Sequence, residues 1–159
     1  MPFSTISYAR FGPAAGSMKK YWNTIFTAWQ DTIVTEHEYF VAPAIYTPDV
    51  VEKIGDLFAR SRGRDGHFSR NEQRYLQRMR FMRLGDTVLQ SYMSMVRSAA
   101  TEVDFAAAVD AGERGLRARD ELTAMNKAFT TTRLENGSAF WPGEVEQYRE
   151  LIPFTNGER

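Results

Sequence analysis

The fold is decided by residues 69–100, SRNEQRYLQRMRFMRLGDTVLQSYMSMVRSAA, which contain no proline and one glycine. Ser69 followed by Glu72 has the spacing of a capping box at the start of a helix. Two neighbouring rows of apolar side chains then recur at helical spacing. The rows are Tyr75, Met79, Met82, Leu89, Tyr92 and Val96, and beside them Leu76, Phe81, Leu84, Val88 and Met95. Two adjacent apolar rows predict a long helix, 70–100, that is buried on more than one side.

Three further main helices are predicted outside this stretch. A helix over 13–34 would bury one apolar face, made of Met18, Trp22, Ile25, Trp29 and Ile33. A helix over 48–61 follows Thr47, where a capping residue, a first-turn proline and an acidic residue stand in sequence. A helix over 105–130 follows Asp104, which we expect to be its cap.

Two glycines interrupt the predicted helix 105–130. Gly112 and Gly115 each lower the helix propensity of this segment. A cost of this kind is usually compensated by close packing, because a glycine leaves room for a neighbouring backbone or side chain. We therefore expect another helix to approach this one closely at the two glycines.

The ends of the chain add shorter elements. Residues 3–11 have the pattern of the last turns of a helix whose beginning is missing, and residues 143–151 predict a short C-terminal helix. Residues 35–47, TEHEYFVAPAIYT, are predicted to form an aromatic loop. Alternation typical of strands does not last beyond four residues anywhere. The sequence thus predicts a single all-α domain over 1–159, an antiparallel bundle of about four main helices.

Composition narrows the class of function. The 159 residues include 20 Lys and Arg against 20 Asp and Glu, so charge gives no indication of a nucleic-acid or membrane-surface partner. Cysteine is absent, which removes thiolate metal sites and cysteine nucleophiles. No apolar run is of membrane-spanning length, and the N-terminus lacks the pattern of a signal peptide. We expect a soluble chain with no cofactor and no metal, whose compartment the sequence leaves open.

Residues that could support catalysis do not form a recognisable set. His37 and Glu38 suggest a zinc-protease helix, but that motif needs a second histidine at position 41, which is Val41. Glycoside cleavage needs two carboxylates at a set separation, and nothing in the sequence places pairs such as Glu144 and Glu146 across a cleft. We read these side chains as solvated and assign no catalytic residue.

A row of arginines is the one feature that suggests an anionic partner. Arg70, Arg74 and Arg78 share a helix face, which a nucleic-acid backbone could use. Acidic residues, among them Glu72 and Asp86, are interleaved with the arginines, and no nucleic-acid-binding motif accompanies the row. The favoured interpretation is a solvated face with ion pairs between helices.

Aromatic side chains are the remaining candidates for a binding surface, because they can stack on sugar rings. Helical spacing places most of Tyr21, Trp22, Phe26 and Trp29 in the core. Tyr39 and Tyr46 in the loop, and Trp141 in the tail, are better candidates for exposed contact with a substrate or partner. Packing is nevertheless the favoured role for these three as well.

Four segments together carry a resemblance to a known group of proteins. They are ARFGPAAGSMKKYW (9–22), PAIYTPDVVEKI (43–54), RMRFMRLGDTVLQ (78–90) and FWPGEVEQYREL (140–151). In this order the set resembles the helical C-terminal region of large bacterial proteins related to α-glucuronidases and other glycoside hydrolases, over residues 9–157. In such proteins an upstream barrel holds the catalytic carboxylates. The helical region packs against that barrel and, in α-glucuronidases, supports dimerisation.

The resemblance implies a supporting function rather than a catalytic one. This chain contains no barrel, so no catalytic residue is carried over, and we expect it to be a piece of a larger carbohydrate-active protein. Its expected partner is a catalytic barrel or a second copy of itself, with carbohydrate nearby. In a full-length relative the loop containing Glu36, His37, Glu38 and Tyr39 would approach the substrate face.

Two other functions stay open on sequence alone. A free-standing helical protein that interacts or dimerises through an apolar patch is the main alternative. A small carbohydrate-binding module is another, and it requires exposed, coplanar aromatic rings. For the accessory domain and the dimer alike, we expect an apolar patch where residues 3–11 and 140–154 gather. An independent enzyme is the least expected outcome.

Overall fold

The computed structural model describes residues 10–32, 38–60, 70–126 and 140–155. These ranges contain six α-helices: α1 Ala15–Asp31, α2 Glu38–Ile45, α3 Pro48–Ala59, α4 Arg70–Arg97, α5 Phe105–Met125 and α6 Phe140–Thr155. A 3-10 turn, Gly12–Ala14, precedes α1, and a π-helical turn, Ser98–Glu102, follows α4. None of the described residues belongs to a β-strand, so the all-α prediction is confirmed.

Each predicted main helix is present with somewhat different ends. The predictions 13–34, 48–61, 70–100, 105–130 and 143–151 correspond to α1, α3, α4, α5 and α6. Of the expected helix remnant 3–11, Arg10 and Phe11 are helical and the rest lies outside the described residues, as do Ser69 and its proposed capping box.

The predicted loop 35–47 is the main correction to the secondary structure. It contains α2, although Pro43 lies inside that helix. A proline inside a helix removes its own amide donor, and its ring crowds the carbonyl four residues earlier. The ladder continues beyond Pro43, because the Tyr46 N–H donates to the Ala42 carbonyl at 2.8 Å. One missing bond in a short apolar segment was therefore not enough to prevent a helix.

The chain divides into two compact units, and the prediction of a single domain over 1–159 stays a prediction. Unit one is Met1–Arg83 and unit two is Leu84–Arg159, and each is described by itself. In unit one, α1 packs on α3. The buried apolar side chains of α1 and α3 are Met18, Tyr21, Ile25, Ile54 and Phe58, and Ile45 at the end of α2 is buried as well. The buried row of α1 is therefore shifted from the predicted one, with Tyr21 inside in place of Trp22.

Gly12, near the start of the chain, allows a close contact within unit one. Gly12 has a φ of +53°, a conformation that side chains with a Cβ rarely adopt. A Cβ placed there would lie 2.6 Å from Cδ2 of the Tyr75 ring on α4. Nearby, Arg78 Nη1 donates to the Arg10 carbonyl at 2.9 Å. This close approach ties the segment before α1 to α4, and only glycine fits it.

Unit two is built on the packing of α6 against α5. Its buried cluster consists of Met95, Ala99, Ala108, Val109, Ala111, Trp141 and Val145. A Cβ on Gly112 would overlap the Val145 side chain, and a Cβ on Gly115 would overlap the Trp141 ring. The expected close approach of another helix at these two glycines is confirmed, and the approaching helix is α6.

The start of α5 follows the predicted capping pattern. Asp104 Oδ1 accepts a hydrogen bond from the Ala107 N–H at 2.9 Å, which satisfies a first-turn amide. The preceding residue, Val103, has a φ of 52° and closes the π-helical turn. Asp104 is thus confirmed as the cap of α5.

None of the helices in the described ranges has the length and apolar character that a membrane-spanning helix needs.

Candidate binding site on helix α1

One side of α1 carries aromatic rings that the core does not take up. Phe26 is 51% exposed and Trp29 is 38% exposed, and Trp22 is half-buried. These positions follow each other by four and three residues, so they share one side of the helix. Tyr46, just after α2, joins them. We call Trp22, Phe26, Trp29 and Tyr46 the aromatic face.

The rings of the aromatic face form two pairs. Trp22 and Phe26 lie with their ring centroids 5.9 Å apart and their planes 29° from parallel. Trp29 and Tyr46 meet edge to face with centroids 6.4 Å apart. Trp29 Nε1 also donates to Tyr46 Oη at 2.8 Å. That hydrogen bond fixes the orientation of the Trp29 ring while leaving part of the ring open to solvent.

Polar side chains border the aromatic face on its solvent side. At 100° per residue, Lys19, Asn23 and Gln30 follow next around the helix from the aromatic rings, and all three are exposed. They offer ammonium and amide groups, which donate hydrogen bonds, and the amides also accept them. The only carboxylate of α1 is Asp31, which helical geometry places on a different side.

A cleft lies on the other flank of α1, towards α2 and α3. It has a volume of about 670 Å³ and is open to solvent. Its lining combines charged, polar and apolar side chains, and it includes Asn23 of the polar border together with Lys20, Thr24, Asp31, Asp49, Lys53, Ile45 and Leu57. Among the described residues that line the cleft none is aromatic, so this lining differs in chemistry from the aromatic face.

Of the residues predicted as candidate contacts, the structure places one in this site. Tyr46 belongs to the aromatic face through its hydrogen bond with Trp29. Glu36 and His37 lie outside the described residues, and Glu38 and Tyr39 lie in the first turn of α2, where the helix but not the side chains is described. The contact role predicted for these four stays a prediction.

Trp141 was a candidate for exposed contact on sequence, with packing as the favoured role, and the structure buries it. It is 8% exposed and lies in the core of unit two. Its ring meets Tyr92 edge to face at 5.1 Å, and the Arg119 guanidinium lies 5.4 Å from the ring centroid. The slot opened by Gly115 holds the ring. The packing role favoured for Trp141 on sequence therefore agrees with the structure, and the alternative of exposed contact does not.

Trp22, Phe26 and Trp29 are the site residues that sequence reasoning missed, since their helical spacing had placed them in the core. The sequence does contain a second apolar row that could have been predicted as the buried one. Met18, Tyr21 and Ile25 have equally good helical spacing on the adjacent side of the helix. A helix that packs on one partner buries one row. The sequence did not show which of two adjacent rows faces α3.

Asp86 is a buried carboxylate that the sequence had grouped with the solvated arginine row. It is 6% exposed. Gln90 Nε2 donates to its Oδ2 at 2.9 Å, and its Oδ1 has no hydrogen-bond partner within the described parts of the chain. Burial raises the pKa of Asp86 to about 6 from 3.8, because the charged form loses hydration. The placement on a solvated face is therefore wrong for Asp86.

The exposure of the arginine row agrees with a solvated face, whereas its ion pairs between helices stay a prediction. Arg74 and Arg78 are exposed, and the side chain of Arg70 is not described. In unit two, Arg149 Nη2 contacts Glu113 Oε1 at 2.6 Å, joining α6 to α5. The hydrogen bond from Arg149 lowers the pKa of Glu113. Within the described ranges, no three His, Cys, Asp or Glu side chains converge as a metal site would need.

Comparisons with protein-family models, curated proteins and solved structures found no match to this chain.

Proposed function

We propose that this chain is a non-catalytic helical accessory domain of a carbohydrate-active protein related to glycoside hydrolases, and that it acts by contact. The observation that carries the contact role is the end of α6, where Phe154 is 77% exposed and Leu151 is 38% exposed. The proposed relation to a carbohydrate-active protein is supported by the ordered set of four sequence segments, which resembles the helical region of α-glucuronidase-like proteins.

The exposed end of α6 is separate from the face that packs within unit two. Val145 is buried against α5, and the Tyr148 ring stacks on Phe105 with centroids 5.9 Å apart and planes 11° apart. Leu151 and Phe154 are three residues apart, so they lie side by side on the helix. Burying a side chain of this size is worth roughly 1.5–3 kcal/mol. A contact that covered both would therefore be favourable, and we propose that the catalytic barrel provides it.

A free-standing protein that dimerises is the second candidate, and the same two side chains favour it. In a two-fold dimer the end of α6 would meet the same surface of the second copy. The two candidates differ in what the isolated chain does. An accessory domain without its barrel stays monomeric and keeps the α6 end open, whereas a dimerising protein covers it.

Light scattering and binding of a hydrophobic dye test both candidates on the purified chain. For the accessory domain we expect the mass of a monomer at micromolar concentration, with dye binding that falls clearly in a Leu151→Ser and Phe154→Ser double variant. The control is Val103→Ser, which removes an exposed apolar side chain elsewhere in unit two. A dimer that the double variant dissociates would favour the alternative. Hydrolysis of aryl glycosides or glucuronoxylan by the chain, or dye binding that the double variant leaves unchanged, would contradict the proposal.

A further inference from the structure

We propose that the cleft of unit one binds a short peptide with free termini, about three residues long, whose ammonium group lies at an acidic end of the cleft and whose carboxylate lies at a basic end. The proposal goes beyond the accessory role and does not depend on it. The residues that carry that role lie at the end of α6 in unit two, whereas the cleft lies in unit one. The two proposals can therefore fail independently.

The two helices that form the main walls of the cleft run in opposite directions. Tyr21, early in α1, meets Phe58, late in α3, with ring centroids 5.8 Å apart. Trp29, late in α1, meets Tyr46, just before α3, with centroids 6.4 Å apart. The end of α1 therefore lies beside the start of α3, and the start of α1 lies beside the end of α3.

This antiparallel arrangement separates the charges of the cleft by sign. Asp31 ends α1 and Asp49 is in the first turn of α3, so both carboxylates lie towards one end. Lys20 lies towards the start of α1, and Lys53 is one turn further along α3 than Asp49, so both ammonium groups lie towards the other end. A ligand with a single charge would satisfy one end and meet its own sign at the other. A ligand that carries one charge of each sign satisfies both.

The dimensions of the cleft suit an extended peptide of three residues. Its volume of about 670 Å³ is within the roughly 300–1,000 Å³ of small-ligand sites. The acidic and basic residues are about 16.5 Å apart along α1 and about 6 Å apart along α3, at 1.5 Å per residue. The mean of these two separations, about 11 Å, matches the span of a tripeptide at roughly 3.3–3.6 Å per residue.

The four charged side chains of the cleft are open to a ligand. All four are exposed, and none of them forms an ion pair with another described residue. Asp49 and Lys53 have the spacing and order that favour an ion pair within one helix, yet they do not form one. Charges that do not neutralise each other can pair with the two termini of a peptide.

The middle of the cleft suits the body of a peptide. Asn23, Thr24 and Thr27 of α1 line the cleft between its charged ends. Amide and hydroxyl groups both donate and accept hydrogen bonds, as the N–H and C=O groups of a peptide require. The Thr24 hydroxyl donates to the Lys20 carbonyl at 3.0 Å, and its oxygen can still accept from a peptide N–H. Val50 on α3 adds apolar surface for a ligand side chain.

NMR titration of the ¹⁵N-labelled full chain with trialanine tests the proposal. We expect saturable shifts in unit one with free trialanine. Exposed ion pairs are weak, so N-acetylation or C-terminal amidation of the peptide should each raise the dissociation constant about threefold or more. Dialanine, which is too short to reach both ends, should also bind less tightly. Absence of saturable shifts with trialanine, or equal binding of the doubly blocked peptide, would overturn the proposal, and neither result requires a variant.

Charge-removing variants locate the carboxylate of the peptide. Lys20→Gln combined with Lys53→Gln should weaken binding of free trialanine about threefold or more. The same pair should leave the affinity for trialanine amide unchanged, because that peptide has no carboxylate to lose. Lys19→Gln is the matched control, since Lys19 is exposed on the same helix but is not part of the cleft lining. Equal weakening of both peptides would contradict the proposed orientation and overturn the proposal.

The acidic end is tested in the same way with the other blocked peptide. Asp31→Asn combined with Asp49→Asn should weaken free trialanine about threefold or more and leave N-acetyl-trialanine unaffected. Glu52→Gln, an exposed carboxylate on α3 outside the cleft lining, is the matched control. Far-UV circular dichroism checks that each variant is folded. Unchanged binding of free trialanine by the folded aspartate pair would show that the ammonium group does not lie at this end, and would overturn the proposal.

Discussion

Trp29 and Trp141 are both tryptophans on helices, but Trp29 is partly exposed and Trp141 is buried. Each lies on a helix, and each has a ring partner, Tyr46 for Trp29 and Tyr92 for Trp141. Trp29 remains 38% exposed, whereas Trp141 is 8% exposed. The difference lies in the surroundings of each helix. Against Trp141, α5 presents Gly115, whose missing side chain leaves a slot for the indole. The buried residues of α3, on which α1 packs, are the bulky Ile54 and Phe58.

The comparison teaches that a large side chain is buried where its neighbour is small. Interiors are close-packed, so a tryptophan enters a helix interface only if the facing helix gives up volume. In α5 the missing side chains of the two glycines leave this space, although glycine lowers the helix propensity. In α1, Tyr21 takes the buried position, and its ring meets Phe58 edge to face at 5.8 Å. Trp22, Phe26 and Trp29 lie at the border of this packing, partly open to solvent.

The largest expected effect is the loss of Trp141. Trp141→Ala should lower the free energy of unfolding by about 3–5 kcal/mol, because it removes a buried ring and leaves a cavity beside Gly115. Trp29→Ala should cost about 1 kcal/mol or less, since that ring is partly in solvent already. Denaturation by urea, followed by circular dichroism, measures both. Similar losses in the two variants would mean that the contrast between the two tryptophans is wrong.

The next largest effect is a dependence of the free energy of unfolding on pH, which the buried carboxyl of Asp86 causes. Its pKa in the folded protein is raised to about 6 from 3.8, so the folded state holds this proton more tightly than the unfolded state. The contribution of Asp86 to stability is therefore fully present below about pH 4 and is lost as pH rises through about 6, with a total change of at most about 3 kcal/mol. Asp86→Asn should remove this dependence and stabilise the protein by up to that amount at pH 7.

Urea denaturation between pH 4 and pH 7 measures the effect of Asp86. In the Asp86→Asn variant the side-chain amide keeps an oxygen that can accept the hydrogen bond from Gln90, so the main change is the lost charge. The matched control is Asp110→Asn, which neutralises an exposed carboxylate of the same unit and should leave the pH profile of the wild type in place. If Asp86→Asn and the wild type lose stability in parallel, the buried carboxyl is not the cause.

Glycine substitutions sharpen the comparison of the two packing environments. A Cβ on Gly115 would overlap the Trp141 ring and lie 2.8 Å from the Ser91 Cβ. Overpacking costs about 1–3 kcal/mol, of which about 1 kcal/mol is offset by the helix propensity of alanine. Gly115→Ala should thus lower stability by up to about 2 kcal/mol. Gly16→Ala in α1 meets nothing within 4 Å and should raise stability by up to about 1 kcal/mol.

Melting temperatures of the two alanine variants are the direct measurement. The variants make the same chemical change within a helix, so a difference in sign isolates the effect of the neighbouring ring. Gly85→Ala in α4, where the added carbon also has open space, repeats the control. A rise in melting temperature for Gly115→Ala would show that Trp141 can move aside at little cost.

Much of the fold could be predicted from local pattern. Periodicity located the main helices, Asp104 was identified as a cap, and Gly112 and Gly115 predicted a close helix approach. These features depend on a few neighbouring residues. The exposure of the tryptophans does not, because it is decided by the helix across the interface. Helical spacing placed Trp29 in the core, whereas the structure leaves it 38% exposed, and the burial of Trp141 agrees with the packing role favoured for it.

The candidate site was predictable only in part, for the same reason. Tyr46 was selected as an exposed aromatic, yet its partner Trp29 was assigned to the core. The burial of Asp86 was missed because a charged residue in an arginine-rich helix looks solvated until the packing is known. For α2, the weight given to Pro43 hid a helix that loses a single backbone bond. In each case a local rule was overruled by a contact or by a neighbouring segment.

The smallest expected effect comes from the hydroxyl that holds Trp29. Tyr46→Phe removes the acceptor 2.8 Å from Trp29 Nε1 but keeps the edge-to-face pair of rings. The site is exposed, so water can take over the hydrogen bond, and stability should fall by less than about 1 kcal/mol. A loss of about 2 kcal/mol or more, the cost of leaving a buried donor unpaired, would place Trp29 in a closed environment like that of Trp141.

Exchange of the indole N–H protons with solvent is the more sensitive measurement for Tyr46→Phe. Trp141 Nε1 is buried and has no hydrogen-bond partner in the described parts of the chain, so only its packing shields it from water. Trp29 Nε1 is exposed and held by one hydrogen bond. The variant should therefore shift one indole resonance and speed its exchange, while that of Trp141 stays slow. If both resonances keep their wild-type exchange rates, the Tyr46 hydroxyl does not restrain Trp29, and the argument for a pre-oriented ring on α1 fails with it.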